Sequence, residues 1–164
     1  MIYLASDHAG FELKEGIKQC LAELDLETED MGAFHFDPDD DYPDFIIPAA
    51  KAVALRQAQA FGSETQARRG EHNTYGIVFG ASGQGEAIAA NKVRGIRAAV
   101  YYGGSLDLVK LSRAHNDVNV LSLGAKFLTL EEAKEAVKLW LETGFDGGRH
   151  ERRIEKIKTF EQGA

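Results

Sequence analysis

A short apolar strand, a glycine-rich turn and a helix follow one another without a gap over residues 75–92. The strand is Tyr75-Gly76-Ile77-Val78-Phe79, the turn Gly80-Ala81-Ser82-Gly83-Gln84-Gly85, and the helix starts near Glu86. A chain that turns from strand straight into helix crosses back over its sheet before the next strand, which favours parallel pairing with helices on both faces. The rest of the sequence keeps this rhythm. Residues 2–5 read as a buried strand, after which Phe11, Leu13, Ile17, Leu21 and Leu24 recur at helical spacing. A second strand is expected at 26–31, closed by Gly32, then a loop at 37–43 and a helix over about 45–57. Further strands fall at 97–101 and 118–123, with helices over about 105–114, 130–143 and 149–161. The expected fold is α/β: a Rossmann-like three-layer αβα sandwich around a five-stranded parallel sheet of order 2-1-3-4-5, in a single domain over 1–164. Residues 57–73 are polar and weakly periodic, and are read as a surface insertion.

Such sheets bind ligands beyond the carboxyl ends of their strands, where strand order reverses. Asp7-His8 follows the first strand and the 80–86 turn follows the third, so the topology makes them neighbours. Glycines let backbone N–H groups approach an anionic oxygen closely. Glu86 would then be a general base beside an oxyanion pocket, suited to taking a proton from a carbon next to a carbonyl. The same residues admit a plainer account, in which Glu86 compensates the helix dipole and the glycines serve packing. Several better-known motifs do not match. Gly85 is followed by Glu86 where a phosphate-binding loop needs Lys, and Gly83 comes one place too early for a nucleophile elbow. The glycine order G-x-x-G-x-G is not the dinucleotide fingerprint.

The formal net charge of −7, with no basic stripe, argues against a nucleic-acid binder but leaves room for a small anionic substrate. Apolar runs are far too short to span a bilayer, and no signal peptide is read at the N-terminus. The single cysteine, Cys20, forms no internal disulfide, reads as a packing residue, and fits a cytoplasmic location.

Four further groups carry chemistry or a simpler alternative. Asp7 reads either as a helix N-cap or as part of a site, with His8 beside it as a phosphate or substrate contact. Asp37, Asp39, Asp40 and Asp41 lack the spacing of a calcium loop and read as a solvated acidic loop, with the Tyr42 hydroxyl at its end. His115-Asn116 ends a helix, where the dipole favours a charged imidazole that would also be poised near neutral pH. Arg149, His150 and Arg153 open the last helix, the wrong end for cations unless an anion is held there; the alternative is a solvated basic turn.

Together these segments resemble the ribose-5-phosphate isomerase B family of sugar-phosphate isomerases. The likeness rests on Asp7-His8-Ala9-Gly10-Phe11-Glu12-Leu13-Lys14, Asp41-Tyr42-Pro43, residues 80–93 with Ala89-Ala90-Asn91-Lys92-Val93, His115-Asn116, and Arg149-His150 with Arg153. It runs nearly end to end, and only 57–73 lies outside the family's usual length. The resemblance implies an aldose–ketose isomerase of the pentose phosphate pathway, free of metal and cofactor, with ribose 5-phosphate and ribulose 5-phosphate as its sugars. Glu86 would be the base; many family members carry a cysteine base at the position held here by Gly80, and this chain is similar to the branch in which Glu takes over. Ser82 and the backbone N–H groups around Gly83 and Gly85 would hold the enediolate oxygen. His115 and Asp7 would assist ring opening, with Asn116 and Tyr42 placing hydroxyls. His8, Arg149, His150 and Arg153 would grip the phosphate, joined by Lys126, where family members often have Arg. The family's shared active site implies a homodimer or homotetramer, with His115-Asn116 from a partner chain.

Other readings stay open at this point. They are an isomerase of a four- or six-carbon sugar phosphate, a non-catalytic sugar-phosphate-binding module, and a hydrolase using Ser82, His115 and Asp7, which the missing elbow motif disfavours.

Overall fold

The computed structural model describes residues 1–61 and 74–163. Along the chain run β1 (Ile2–Ser6), α1 (Phe11–Glu23), β2 (Thr28–Asp30), α2 (Pro43–Phe61), β3 (Tyr75–Gly80), α3 (Gln84–Ala90), β4 (Ala98–Tyr101), α4 (Asp107–Asn116), β5 (Val120–Gly124), α5 (Leu130–Glu142) and α6 (Arg149–Gly163). Every pairing is parallel, as the strand–turn–helix rhythm predicts.

Side chains alternate across the sheet and build one core on each face. Ile2, Leu4, Ile77, Phe79, Leu121 and Leu123 face α1, α4 and α5, meeting Leu13, Ile17, Val109, Ala133 and Trp140. Their neighbours Tyr3, Ala5, Val78 and Val120 face α2 and α3, meeting Ile46, Ala49, Val53 and Ala90. Strands covered on both faces read as continuous apolar runs, which is why β1 and β3 are legible in the sequence. A capping box opens α5, where Thr129 and Glu132 satisfy each other's backbone N–H.

The strand order is 2-1-3-5-4, not the expected 2-1-3-4-5. β5 is buried along its whole length and sits in the centre beside β3, whereas β4 is half-exposed and forms the edge. Contacts of β5 and the residues just after it hold β5 beside β3. The Ser122 hydroxyl on β5 donates to the Gly83 carbonyl at 2.6 Å, and the N–H groups of Ala125 and Lys126 donate to the carbonyls of Gly80 and Ala81. The turn after β3 is thus stitched to the end of β5. The β1/β3 switch point survives the correction.

Helix α2 continues past the expected end at 57, so the first residues of the proposed 57–73 insertion are helical. Its remainder, 62–73, lies outside the described residues. Helix α3 begins at Gln84 and stops at Ala90, two residues earlier at each end than expected.

Lys14 was unremarkable in the sequence, yet it is fully buried on α1. Its ammonium donates to Asp30 at 2.7 Å and to the Ala33 carbonyl at 2.6 Å, and Lys18 reaches the same carboxylate. A buried charge is tolerated when it is paired and hydrogen-bonded. Here it ties the start of the 33–42 loop to α1, and that loop leads to Asp40 and Tyr42.

Candidate functional site

Two groups of chemically active side chains occupy opposite ends of the sheet. The first lies at the carboxyl ends of β1, β3 and β5. The Asp7 carboxylate accepts the Gly10 N–H at 3.1 Å, holding the turn between β1 and α1. Gly10 itself takes the N-cap position of α1, which corrects the reading of Asp7 as that cap. A side chain at Gly10 would strike the backbone of Phe79, so this glycine lets the Asp7-His8 turn press against the end of β3.

At that end the 80–86 turn is tightly determined. Gly83 adopts φ +76°, a left-handed conformation, and carries the chain into α3. Gly85 lies under the Tyr42 ring, where a Cβ would come within 3.1 Å of its hydroxyl. Ser82, half-buried, accepts the Gln84 N–H at 3.4 Å. Glu86 is 4% exposed, and its carboxylate fills the space that a side chain at Gly80 would need. Burial raises the Glu86 pKa above the ordinary value, the Asp7 charge raises it further, and its own backbone N–H opposes them. A buried carboxylate of raised basicity, beside a glycine turn, is the arrangement a proton-abstracting base needs.

His8 completes this end. Its ring Nδ1 and its backbone N–H both meet one oxygen of Asp40, at 2.6 and 2.9 Å. The hydrogen bond to Asp40 raises the His8 pKa; desolvation opposes it, and the charge of Asp7 adds to it. Asp40 therefore departs from the expected solvated loop: it is largely buried, while Asp37, Asp39 and Asp41 are exposed as expected. Lys126 follows β5 at the same end, with an exposed side chain.

The second group sits at the amino end of the sheet. Helix α4 runs back along the sheet and delivers His115 and Asn116 just before β5 begins. The Asp146 N–H bonds to the Ala114 carbonyl, bringing the start of α6 alongside. The rings of His115 and His150 stack at 4.1 Å between centroids and 10° between planes, with Asp146 at 3.9 Å from His115 Nε2. Arg149 and Arg153 are exposed around them. Desolvation lowers the His150 pKa, followed by His115, Arg149 and Arg153, with Asp146 opposing.

Five residues of β5 separate the two ends, roughly 15 Å at about 3.3 Å per strand residue. Asp7, His8, Tyr42, Ser82, Gly83, Gly85, Glu86 and Lys126 are thus brought to one end. His115, Asn116, Arg149, His150 and Arg153 are brought to the other. His8 does not join the arginines within one chain. Donor atoms of His115, Asp146 and His150, and those of Asp7, His8 and Asp40, each lie within 4.8 Å of one another, the spacing a cation needs. In the second trio Nδ1 and the carboxylate already satisfy each other, and in the first the arginines disfavour a cation, so neither is read as a metal centre.

Comparison with known proteins agrees with this architecture. The sequence profile of the ribose/galactose isomerase family matches residues 2–157. Ribose-5-phosphate isomerase B of Mycolicibacterium paratuberculosis is 38% identical over 162 residues, spanning 98% of this chain and 91% of that protein. The crystal structure of ribose-5-phosphate isomerase B from Mycoplasma genitalium with bound ribulose-5-phosphate is similar at a TM-score of 0.85 and 36% identity, over 99% of this chain and 97% of that one. The Clostridium thermocellum ribose-5-phosphate isomerase B is similar at 0.82 and 38%, over 99% and 97%. The chain belongs to the ribose/galactose isomerase family, and with it to the aldose–ketose isomerases.

Proposed function

We propose that the protein interconverts ribose 5-phosphate and ribulose 5-phosphate through a cis-enediolate, as a cytoplasmic enzyme of the pentose phosphate pathway. The observation that carries this reading is the Glu86 carboxylate, buried against Gly80 at the end of β3 with its basicity raised. In the forward direction Glu86 takes the proton from C2 of the open-chain aldose. Electron density moves onto the C1 oxygen, which the Ser82 hydroxyl and the N–H groups around Gly83 and Gly85 would steady. The hydroxyl proton passes from O2 to O1, and Glu86 returns its proton to C1 as the carbonyl forms at C2. Atoms balance without a cofactor or a metal.

Tyr42 and Asn116 would place substrate hydroxyls, and Asp7 with His115 would open the furanose ring. His8, Lys126, Arg149, His150 and Arg153 would grip the phosphate. Groups from both ends of the sheet must then meet one sugar, which a single chain does not allow at its observed geometry. A homodimer or homotetramer, each site joining the carboxyl end of one subunit to the amino end of another, satisfies both. Support comes from exposed Ile88, Tyr102, Leu108, Leu111 and Phe127, and from a hollow of about 440 Å³ beside edge strand β4, lined by Gln84, Tyr102 and Leu108. Among the described residues no helix is long and apolar enough to cross a membrane.

The test is conversion of ribose 5-phosphate to ribulose 5-phosphate by the purified protein with EDTA present, beside tetrose and hexose phosphates. Turnover of the pentose above the others is expected. Preference for a hexose or tetrose phosphate would keep the chemistry and overturn the substrate, and inertness to all would leave a sugar-phosphate-binding module.

A further inference from the structure

We propose that Asp40 is a positioning residue that arms His8 for the phosphate, fixing the imidazole so that its Nε2–H is offered to the anion. This rests on the reading of His8 as a phosphate contact. One oxygen of Asp40 receives two N–H groups of His8, from backbone and ring, across a separation of 32 residues. With Nδ1 so engaged, Nε2 is the nitrogen left to meet a ligand, and it donates only when the ring is protonated.

The other Asp40 oxygen is buried and has no hydrogen-bond partner among the described residues. A solvent-shielded carboxylate oxygen without a donor is costly, and an amide would bridge the same two N–H groups with less charge to bury. The negative charge therefore has a use, and the adjacent imidazolium is what it serves. The charged groups acting on His8 are Asp40 and Asp7, both of which favour protonation. Phe36 flanks the ring edge-on at 6.2 Å and adds no charge.

The experiment follows His8 by NMR titration in the wild type and in Asp40→Asn, with and without inorganic phosphate, alongside KM for ribose 5-phosphate over the same pH range. Asn keeps an acceptor for both N–H groups and removes the charge. The expected result is a fall of the His8 midpoint toward the ordinary imidazole value of about 6.5. Near pH 7.5 the phosphate-induced shift of His8 disappears and KM rises on the order of fivefold, while near pH 6 the variants converge, because there both rings are protonated. The loss falls on KM rather than kcat, and Asp40→Glu, which keeps the charge, restores the high midpoint. An unmoved midpoint, or a KM defect equal at all pH values, overturns the proposal. If Asp40→Asn does not fold, a wild-type midpoint no higher than ordinary imidazole overturns it alone. A wild type that ignores ribose 5-phosphate while phosphate still shifts His8 removes the sugar assignment and leaves the pairing standing.

Discussion

The carboxyl and amino ends of the sheet are held in place by different means. At the carboxyl end Glu86 is shut in by Gly80, Asp7 is tied to the Gly10 N–H, and Ser122 anchors the Gly83 carbonyl. These three groups are fixed by turns that follow directly from the strands. At the amino end two imidazoles stack on each other, with Arg149 and Arg153 exposed around them, after a turn in which Gly147 and Gly148 both take positive φ. Under the proposed mechanism, the first end would be preorganised for a reaction that needs a poorly hydrated base. The second presents the exposed cations Arg149 and Arg153 outward.

The sharpest way to break this contrast is to remove the proposed base. Glu86→Gln should lower kcat by about 10³-fold or more, the range expected for a lone general base. The same variant should raise Tm at neutral pH. A carboxylate whose folded pKa is raised holds its proton more tightly when folded, so stability is lost as pH climbs from the ordinary value near 4.5 through the raised one. That cost is fully present above the raised pKa, and the neutral amide removes it. Retained turnover, measured by ketose formation, would move the base elsewhere.

A smaller effect tests whether the two ends cooperate across subunits. Glu86→Gln and a His115→Ala/Arg153→Ala double variant should each be nearly inactive alone. Unfolded together in equal amounts and refolded, they should recover about a quarter of wild-type activity, because half the dimers are mixed and each of those carries one intact site of two. No recovery, with mixed dimers verified by mass, would confine the site to one chain.

The smallest effect is in pH dependence. The acid limb of kcat/KM should have its midpoint above the ordinary glutamate value, activity falling as Glu86 takes up a proton, and the residual rate of Glu86→Gln should lack this limb. A wild-type limb at the ordinary value would mean the carboxylate is solvated during turnover.

Much of the carboxyl end was legible in the sequence because it is local: the 80–86 turn and Asp7-His8 each follow an apolar strand within a few residues. What escaped was pairing between distant segments. β4 and β5 are both short and apolar, and their apolar character alone does not say which takes the centre. That choice rests on Ser122 reaching Gly83 and on the Ala125 and Lys126 N–H groups finding the turn after β3. Asp40 looked like its acidic neighbours because only the folded 33–42 loop brings it to His8. The burial of Lys14 is likewise not local: it depends on Asp30 and Ala33, which only the fold places around it.

The fit between Gly80 and Glu86 couples two positions that lie on either side of the glycine turn. A side chain at position 80 lands on the glutamate carboxylate, which is flexible enough to swing aside, so the fold would survive such a change while the base lost its place. The choice of residue at position 80 is therefore tied to the one at position 86. Under the proposed mechanism, a glutamate base at position 86 and any side chain at position 80 would compete for one space.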